Sequence, residues 1–264
     1  MKMDNNLKEE IKQSLKASIR KFFKGKEVKK KHVLDHVFPA ERRIRSLIGG
    51  LETSMGTTVW EPLAKTLARN NGFQVIEQNI LKPEPFPELI KKEMDSLKDY
   101  RETNILSTKE CKKRLTSAAL QVKKLNNSLK YISPPAGNGV DIYLLKQGKE
   151  YAFDLKTTSP NKGDFRKFNT QLLEWYTYRL CRDPDVEFEA RIIIPFNPND
   201  KDWYEHNKSK ISPLSPREDL WVENEFWDFC SGYQDTWNEI LKIFIQLGNE
   251  NFGKEFEDIF YNQN

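Results

Sequence analysis

Apolar residues recur at helical spacing along the first part of the chain. Leu7, Ile11, Leu15 and Ile19 are four positions apart, so they would share one face of an α-helix over residues 7–23, opposite a basic face. Similar patterns predict other helices, whose ends are set by glycine, asparagine and proline residues. These further helices are predicted over residues 33–51, 57–70, 88–100, 109–129, 165–180, 221–229 and 236–247.

Strand patterns alternate with these helices. Strands are predicted over residues 73–81, 140–145, 150–157 and 187–194. The second and third strands are joined by a short polar segment that contains Gly148, which predicts a hairpin. The other segments are predicted as a basic loop over 24–31, a rigid proline-rich linker over 83–87 and an irregular connection over 195–217. This order of elements predicts an α/β core with a helical addition at each end.

The composition limits the class of protein. The chain has 264 residues, and its aromatic share of 12% is too high for a disordered chain. The sequence has no run of 18 apolar residues and no apolar segment in its charged first 16 residues, so we expect neither a membrane span nor a secretory signal. Cys111, Cys181 and Cys230 lie far apart, which argues against a disulfide scaffold and a cysteine zinc site and favours a reducing cytoplasm.

The charge is unevenly distributed. Residues 1–45 carry 14 Lys and Arg against 6 Asp and Glu, and residues 46–181 carry 21 against 15. Residues 182–264 reverse this balance, with 8 against 18. Such a gradient is typical of a protein whose first two thirds face a polyanion such as DNA, although lysine-rich helices that are merely solvated would give the same count.

The predicted hairpin carries the candidate chemistry. A loop rich in Pro and Gly, residues 133–139, precedes Asp141 at the start of one strand, and Asp154 and Lys156 lie on the next strand. Residues two positions apart on a strand point to the same face, so Asp154 and Lys156 project together. Hairpin pairing would bring Asp141 beside them. Two carboxylates and an ammonium group therefore converge on one spot.

Such a cluster has the composition of a magnesium site for phosphodiester hydrolysis. A divalent cation relieves the repulsion between Asp141 and Asp154, and Mg²⁺ prefers oxygen ligands and retains waters. The cation would polarise a phosphoryl oxygen and lower the pKa of a bound water. Lys156 would orient the attacking water and stabilise charge on the phosphorus. The alternative is an exposed hairpin with an ordinary salt bridge between Asp154 and Lys156.

The spacing of Asp141, Asp154 and Lys156 resembles that of the PD-(D/E)XK nuclease superfamily, with Val140 in place of the proline. The resemblance implies a mixed central sheet flanked by helices. It also implies an acidic residue on an early helix near the metal, and Glu61 has that place. Alternatively, Glu61 complements the dipole of its own helix.

At a finer level, residues 54–64 and 137–168 resemble the TdeIII-type family of type II restriction endonucleases. The most specific stretch is DLKTTSPNKGDF, residues 154–165. The resemblance implies Mg²⁺-dependent cleavage of double-stranded DNA at a short interrupted palindrome of the GGNCC type. It further implies a restriction–modification system that includes a DNA methyltransferase. A palindromic target and one active site per chain imply a homodimer.

The same resemblance implies one restriction-endonuclease-like domain over residues 1–264. Its expected parts are a basic helical region (1–52), a catalytic core (53–195) and a helical C-terminal region (196–264). Other nucleases of the superfamily, such as repair or structure-specific enzymes, remain alternatives, and so does a DNA-binding protein that keeps the fold without cutting. The presence of Asp141, Asp154 and Lys156 argues against the last alternative, because a protein without nuclease activity would not need all three residues.

Candidate DNA-binding residues follow the catalytic strand. Lys162, Arg166 and Lys167 lie in the predicted loop 157–167, where they would contact phosphates or guanine bases. A solvated polar turn ending in a helix cap at Asp164 is the alternative. On the next helix, Gln171 is either a supporting polar residue of the site or a plain surface residue.

Overall fold

The computed structural model describes residues 3–28, 32–104, 106–125, 128–156 and 160–261. Within these ranges most of the predicted helices are present. The helices are α1 (Asn5–Phe23), α2 (Pro39–Met55), α3 (Glu61–Asn70), α4 (Glu88–Thr103), α5 (Thr108–Leu125), α6 (Lys162–Arg182), α7 (Trp203–Ile211), α8 (Asn224–Ser231), α9 (Thr236–Asn249) and α10 (Glu257–Tyr261).

A five-stranded mixed sheet forms the centre of the molecule, as the sequence predicts. Its strands, in spatial order, are β1 (Gln74–Val75), β4 (Ile142–Lys146), β5 (Lys149–Leu155), β6 (Glu187–Ile194) and β7 (Leu220–Val222). β4 pairs antiparallel with both β1 and β5, whereas β5, β6 and β7 pair in parallel. A separate pair, β2 (Lys82–Glu84) and β3 (Lys130–Ile132), is antiparallel.

The hairpin between β4 and β5 closes through a two-residue turn. Gln147 and Gly148 both have positive φ, 52° and 80°, and the flanking residues Lys146 and Lys149 pair with each other. Two central residues in this left-handed region are typical of the hairpin turn whose twist matches that of the strands. The turn fixes the register, so Ile142 lies opposite Phe153.

Helices cover both faces of the sheet. Alternate residues of the central strands point to opposite sides, so Tyr143 and Ala152 join a core with α4, α5, α6 and α7. Ile142, Phe153 and Ile193 join a second core with α1, α2, α3, α8 and α9. The central strands are thus buried on both faces.

The region between α2 and α3 departs from the prediction. Gly49 and Gly50 do not end α2, which continues to Met55 and joins α3 through a π-helical turn, Gly56–Trp60. The hydroxyl of Thr58 donates to the carbonyl of Ser54, 2.8 Å away, instead of capping α3. Pro62 lies in the first turn of α3, as predicted.

Three other predicted elements are wrong, two of them because tertiary pairing overrides the local pattern. The proline-rich segment 83–87 is not purely a linker, since Pro83 pairs with Tyr131 in β2 and β3. The connection 195–217 contains α7, which begins where Asp202 caps it. Trp221 is not helical, because it pairs with Ile193 as part of β7, and α8 starts only at Asn224.

The uneven charge is partly neutralised within the fold. Lys8, Lys12 and Arg20 on α1 form ion pairs with acidic residues near the end of the chain. Their partners are Glu239, Glu250 and Glu255 respectively. The basic face of α1 therefore contacts protein rather than facing outward as a whole.

No helix in the described ranges combines the length and the apolar character that crossing a membrane requires.

Candidate active site

Asp141 is fixed at the start of the hairpin by two backbone contacts. Its N–H donates to the carbonyl of Phe153 over 3.1 Å. Its carboxylate Oδ2 accepts from the N–H of Leu155 over 2.8 Å. The beginning of β4 and the end of β5 are therefore tied together, and the carboxylate of Asp141 lies next to the segment that carries Asp154 and Lys156.

The loop before Asp141 is held by neighbouring side chains. Oδ1 of Asn79 accepts from the N–H of Val140 over 3.1 Å and from the N–H of Ile80 over 2.9 Å. A Cβ atom at Gly139 would lie 2.7 Å from Nδ2 of Asn79, which these hydrogen bonds hold in place. A larger residue than glycine at position 139 would displace Asn79 and, with it, the loop.

Asp154 is a buried carboxylate near the end of β5. It retains 4% of its exposure, between Phe153 and Leu155, which point into the opposite core. Burial is the main cause that raises the pKa of Asp154, the ammonium of Lys156 lowers it and the charge of Asp141 raises it, and the net value is about 6. The carboxyl group is thus held in a site that disfavours its charge.

Lys156 balances part of this charge. Its Nζ lies 2.5 Å from Oδ2 of Asp154 and 5.1 Å from the centre of the Phe168 ring on α6. An ammonium above an aromatic face is attracted to it. The backbone N–H of Lys156 donates to the carbonyl of Ile193 over 2.9 Å, so β6 also holds this residue.

Glu61 begins α3 on the same side of the molecule. Burial raises the pKa of Glu61, and the charges of Asp141 and Asp154 raise it further, which places the three carboxylates within electrostatic range of one another. Lys65, one turn along α3 and 3.8 Å away, acts in the opposite direction. The structure therefore places Asp141, Asp154 and Lys156 side by side, with Glu61 within electrostatic range of the two aspartates.

The donor set suits a magnesium ion. Oδ2 of Asp154 is buried and, within the described part of the chain, accepts no hydrogen bond of regular geometry. A cationic group, the ammonium of Lys156, already lies beside it. No three His, Cys, Asp or Glu side chains among the described residues are close enough to form a metal cluster by themselves. Mg²⁺ usually takes one or two carboxylates and completes its shell with waters and substrate phosphates, so Asp141 and Asp154 would suffice.

The three candidate DNA-binding residues lie on a helix and not in a loop. α6 begins at Lys162, where Asn161 caps the helix and Asp164 completes the capping box. Arg166 lies 3.9 Å from Glu102, and Lys167 lies 3.7 Å from Asp164 with 81% of its side chain exposed. The preceding residues 157–159 lie outside the described ranges.

Comparison with known proteins places the chain in a family. Residues 1–248 match the family model described as type II restriction endonuclease, HinfI. The chain belongs to this family. It is also 23% identical over 219 residues to the type II restriction enzyme MjaII of Methanocaldococcus jannaschii, an alignment that covers 80% of the chain. The chain spans 56% of the length of MjaII. No solved structure matches the chain.

Sequence reasoning missed several residues that support the site. Phe168 contacts Lys156, Asn79 accepts a hydrogen bond from Val140 beside Asp141, and Lys65 pairs with Glu61. Of these three contacts, only the four-residue spacing of Glu61 and Lys65 was visible in the sequence. Gln171 is not a surface residue, since 8% of it is exposed and its Nε2 atom is buried. α6 confirms the helix predicted over residues 165–180, and it is buried on most of its faces.

Proposed function

We propose that the chain is a Mg²⁺-dependent, site-specific endonuclease of double-stranded DNA with a PD-(D/E)XK type of active site. The observation that carries the proposal is the convergence of Asp141, Asp154 and Lys156 at one end of a hairpin. Membership of a family of type II restriction endonucleases supports this reading over a repair nuclease or a non-catalytic DNA-binding protein.

Each residue has a distinct part in the proposed reaction. Asp141 and Asp154 hold the metal, which when bound supplies a Lewis acid for the scissile phosphate. Lys156 orients the attacking water and offsets the negative charge that develops on the phosphorus oxygens. Glu61 holds a proton more strongly than an ordinary glutamate and assists at the edge of the site.

The proposal extends to the substrate and the partners. The target is a short palindrome, and the TdeIII-type resemblance implies the GGNCC form. Both that finer resemblance and that form stay predictions. A two-fold symmetric target favours a homodimer with one active site for each strand. A DNA methyltransferase that modifies the same site would protect the host, and a cytoplasmic location follows from that role.

Cleavage of plasmid DNA tests the proposal. The wild-type protein should cut at defined positions with Mg²⁺ and should stop cutting in EDTA, whereas Ca²⁺ should allow binding with little cutting. Asp141→Asn, Asp154→Asn and Lys156→Met should each lower the rate by a factor of about 10²–10³ or more. Glu61→Gln should lower it less.

A matched control is available on the same strand. Lys149 lies at the other end of β5 and pairs with Glu189, so Lys149→Met removes an equivalent ion pair away from the site. This variant should cut at close to the wild-type rate. Near wild-type cutting by Lys156→Met, in protein with an unchanged circular dichroism spectrum, would contradict the assignment. Sequencing the cut ends gives the target and tests the GGNCC form.

A further inference from the structure

An exposed apolar patch lies just before α2, outside the candidate active site. Val33, Leu34, Val37 and Phe38 retain 75%, 41%, 63% and 50% of their exposure. They form a 3₁₀ turn and the residues that lead into α2. Four large apolar side chains within six positions, all facing solvent, are typical of an interaction surface.

The backbone that presents this patch is well held. Nδ1 of His32 accepts from the N–H of Leu34 over 3.1 Å, and Oδ2 of Asp35 accepts from the N–H of His32 over 2.8 Å. The other carboxylate oxygen of Asp35 accepts from Nε of Arg42 over 2.9 Å. His32 therefore caps the 3₁₀ turn that carries Val33 and Leu34. A partner that binds the patch meets a surface that is already ordered, so little ordering entropy is lost on binding.

The sequence on both sides of the patch is rich in positive charge. Residues 20–45 contain ten Lys and Arg against three Asp and Glu. Among them, Lys21, Lys24, Lys26 and Arg45 are exposed. A second copy of the chain docking patch to patch would bring these like charges together, which is unfavourable. A polyanion would instead be attracted to them.

The distance to the active site suits one DNA duplex. α2 has 17 residues, which at 1.5 Å per residue is about 25 Å, and it leads through the π-helical turn directly to Glu61. A turn of B-DNA is about 34 Å long. A duplex bound at the active site can therefore reach the patch within about one helical turn.

We propose that the patch of Val33, Leu34, Val37 and Phe38 is a DNA contact that inserts apolar side chains into the minor groove, while the surrounding lysines and arginines bind phosphates. Proteins that combine cations with Phe, Leu or similar side chains bind the minor groove in this way. The inference rests on the proposed function, because it requires double-stranded DNA as the substrate.

Salt dependence separates the two kinds of contact. A lysine that binds a phosphate displaces counterions, so its loss lowers the slope of log affinity against log salt by about one. An apolar side chain in the minor groove displaces no counterions, so its loss leaves this slope unchanged. Val37→Ser/Phe38→Ser should therefore weaken binding by about tenfold and leave the salt slope unchanged. Lys24→Ala/Lys26→Ala should weaken binding and lower the slope by about two.

The experiment is fluorescence anisotropy in Ca²⁺ with a labelled duplex that carries the mapped cleavage site. Leu241→Ser/Ile245→Ser is the matched control, because these residues are 39% and 54% exposed on α9, in the acidic part of the chain. The control should bind as the wild type does. Sedimentation velocity of each variant reports the oligomeric state.

The outcomes distinguish this inference from the proposed function. If the wild type binds duplex DNA and Val37→Ser/Phe38→Ser binds it equally well, the patch is not a DNA contact, although the nuclease proposal stands. If that variant loses affinity because it changes oligomeric state, the patch is a contact between copies of the chain and the inference is wrong. A wild type that binds no duplex contradicts both proposals.

Discussion

Lys156 and Asp154 form an ion pair at the point where the protein would bind a metal: Nζ of the lysine lies 2.5 Å from the buried Oδ2 of the aspartate. Asp154 lies on β5 and Lys156 directly follows the end of that strand, with Leu155 turned into the core between them. The lysine partly offsets the unfavourable burial of the carboxylate. The pair is therefore a compromise between stability and the proposed chemistry.

This compromise predicts that removing the charge of Asp154 stabilises the metal-free protein. Because the folded state raises the pKa of Asp154 to about 6 from an ordinary value near 4, the folded protein binds the proton more tightly than the unfolded chain does. The free energy of unfolding thus falls as pH rises from about 4 to about 6. Asp154→Asn should raise this free energy by about 1–3 kcal/mol at pH 8 in EDTA, and the gain should vanish near pH 4.

Urea unfolding across this pH range measures the effect. Asp99→Asn, on an exposed position of α4, is the control and should change stability little at any pH. If Asp154→Asn were less stable than the wild type at pH 8, the carboxylate would be favourably placed in the fold, contrary to this reading of the site.

Phe168 is expected to act as a positioning residue for Lys156. The ring lies 5.1 Å from the ammonium, and a cation–π contact of this kind contributes about 0.5–2 kcal/mol. Phe168→Leu keeps an apolar side chain but removes the aromatic face, so it should lower the single-turnover cleavage rate by roughly 3- to 30-fold.

The coupling to Lys156 distinguishes positioning from a loss of packing. In a Lys156→Met background, Phe168→Leu should have no further effect on the residual rate, whereas a general packing defect would lower it again. Leu180→Ala is the control, because Leu180 is buried on the same helix about three turns away from Phe168. It should reduce stability without a selective effect on the rate.

Glu239 is expected to stabilise the fold in a pH-dependent way. Hydrogen bonds from Lys242 and Lys8 lower the pKa of Glu239 to about 2, so its contribution is complete above the ordinary glutamate pKa and is lost as pH falls towards 2. Because the pair is partly solvated, Glu239→Gln should lower the free energy of unfolding at pH 7 by about 0.5–1 kcal/mol. The difference should shrink in acid and in high salt.

Thermal unfolding of this variant and of Glu257→Gln at several pH values is the measurement. Glu257 is exposed on α10, so its substitution should leave the transition nearly unchanged. An equal loss in both variants, or a loss that grows in acid, would show that the pairing of Glu239 with α1 does not stabilise the protein.

Lys167 is expected to contact a DNA phosphate rather than a base. Its side chain is 81% exposed near the start of α6, the helix that follows the catalytic strand. Lys167→Ala should weaken binding to all sequences alike and lower the salt slope by about one. Lys208→Ala is a closely matched control, since Lys208 is 80% exposed on α7 and also has an acidic neighbour three residues before it.

Gel-shift series at several salt concentrations, together with sequencing of cut sites, test this expectation. A variant Lys167→Ala that cuts a wider set of sequences would instead indicate a base contact, for which a loss of about 1–3 kcal/mol at one position is expected. Lys162 and Arg166 can be compared in the same assay, and a changed cut set for either would identify that residue as a base reader.

The proximity of Asp141, Asp154 and Lys156 was easier to predict from the sequence than several elements around them. The positions of Asp141, Asp154 and Lys156 follow from local spacing and from a hairpin that Gly148 closes, and both are properties of a few consecutive residues. The strand at Trp221 depends on pairing with Ile193, nearly 30 residues earlier, which no local pattern contains. Phe168 likewise reaches Lys156 only because α6 returns across the sheet.

The ion pairs of α1 have a consequence for how the protein is made. Lys12 and Glu250 are 238 positions apart, and Arg20 and Glu255 are 235 apart, so α1 leaves the ribosome long before its acidic partners exist. At about 5–20 residues per second, this delay is roughly 12 to 50 seconds. Until then, α1 exposes Ile11 and Leu15 beside its lysines. During most of its synthesis, the nascent chain therefore carries α1 as a basic amphipathic segment without its acidic partners. The packing of α1 is completed only when the last helices are made.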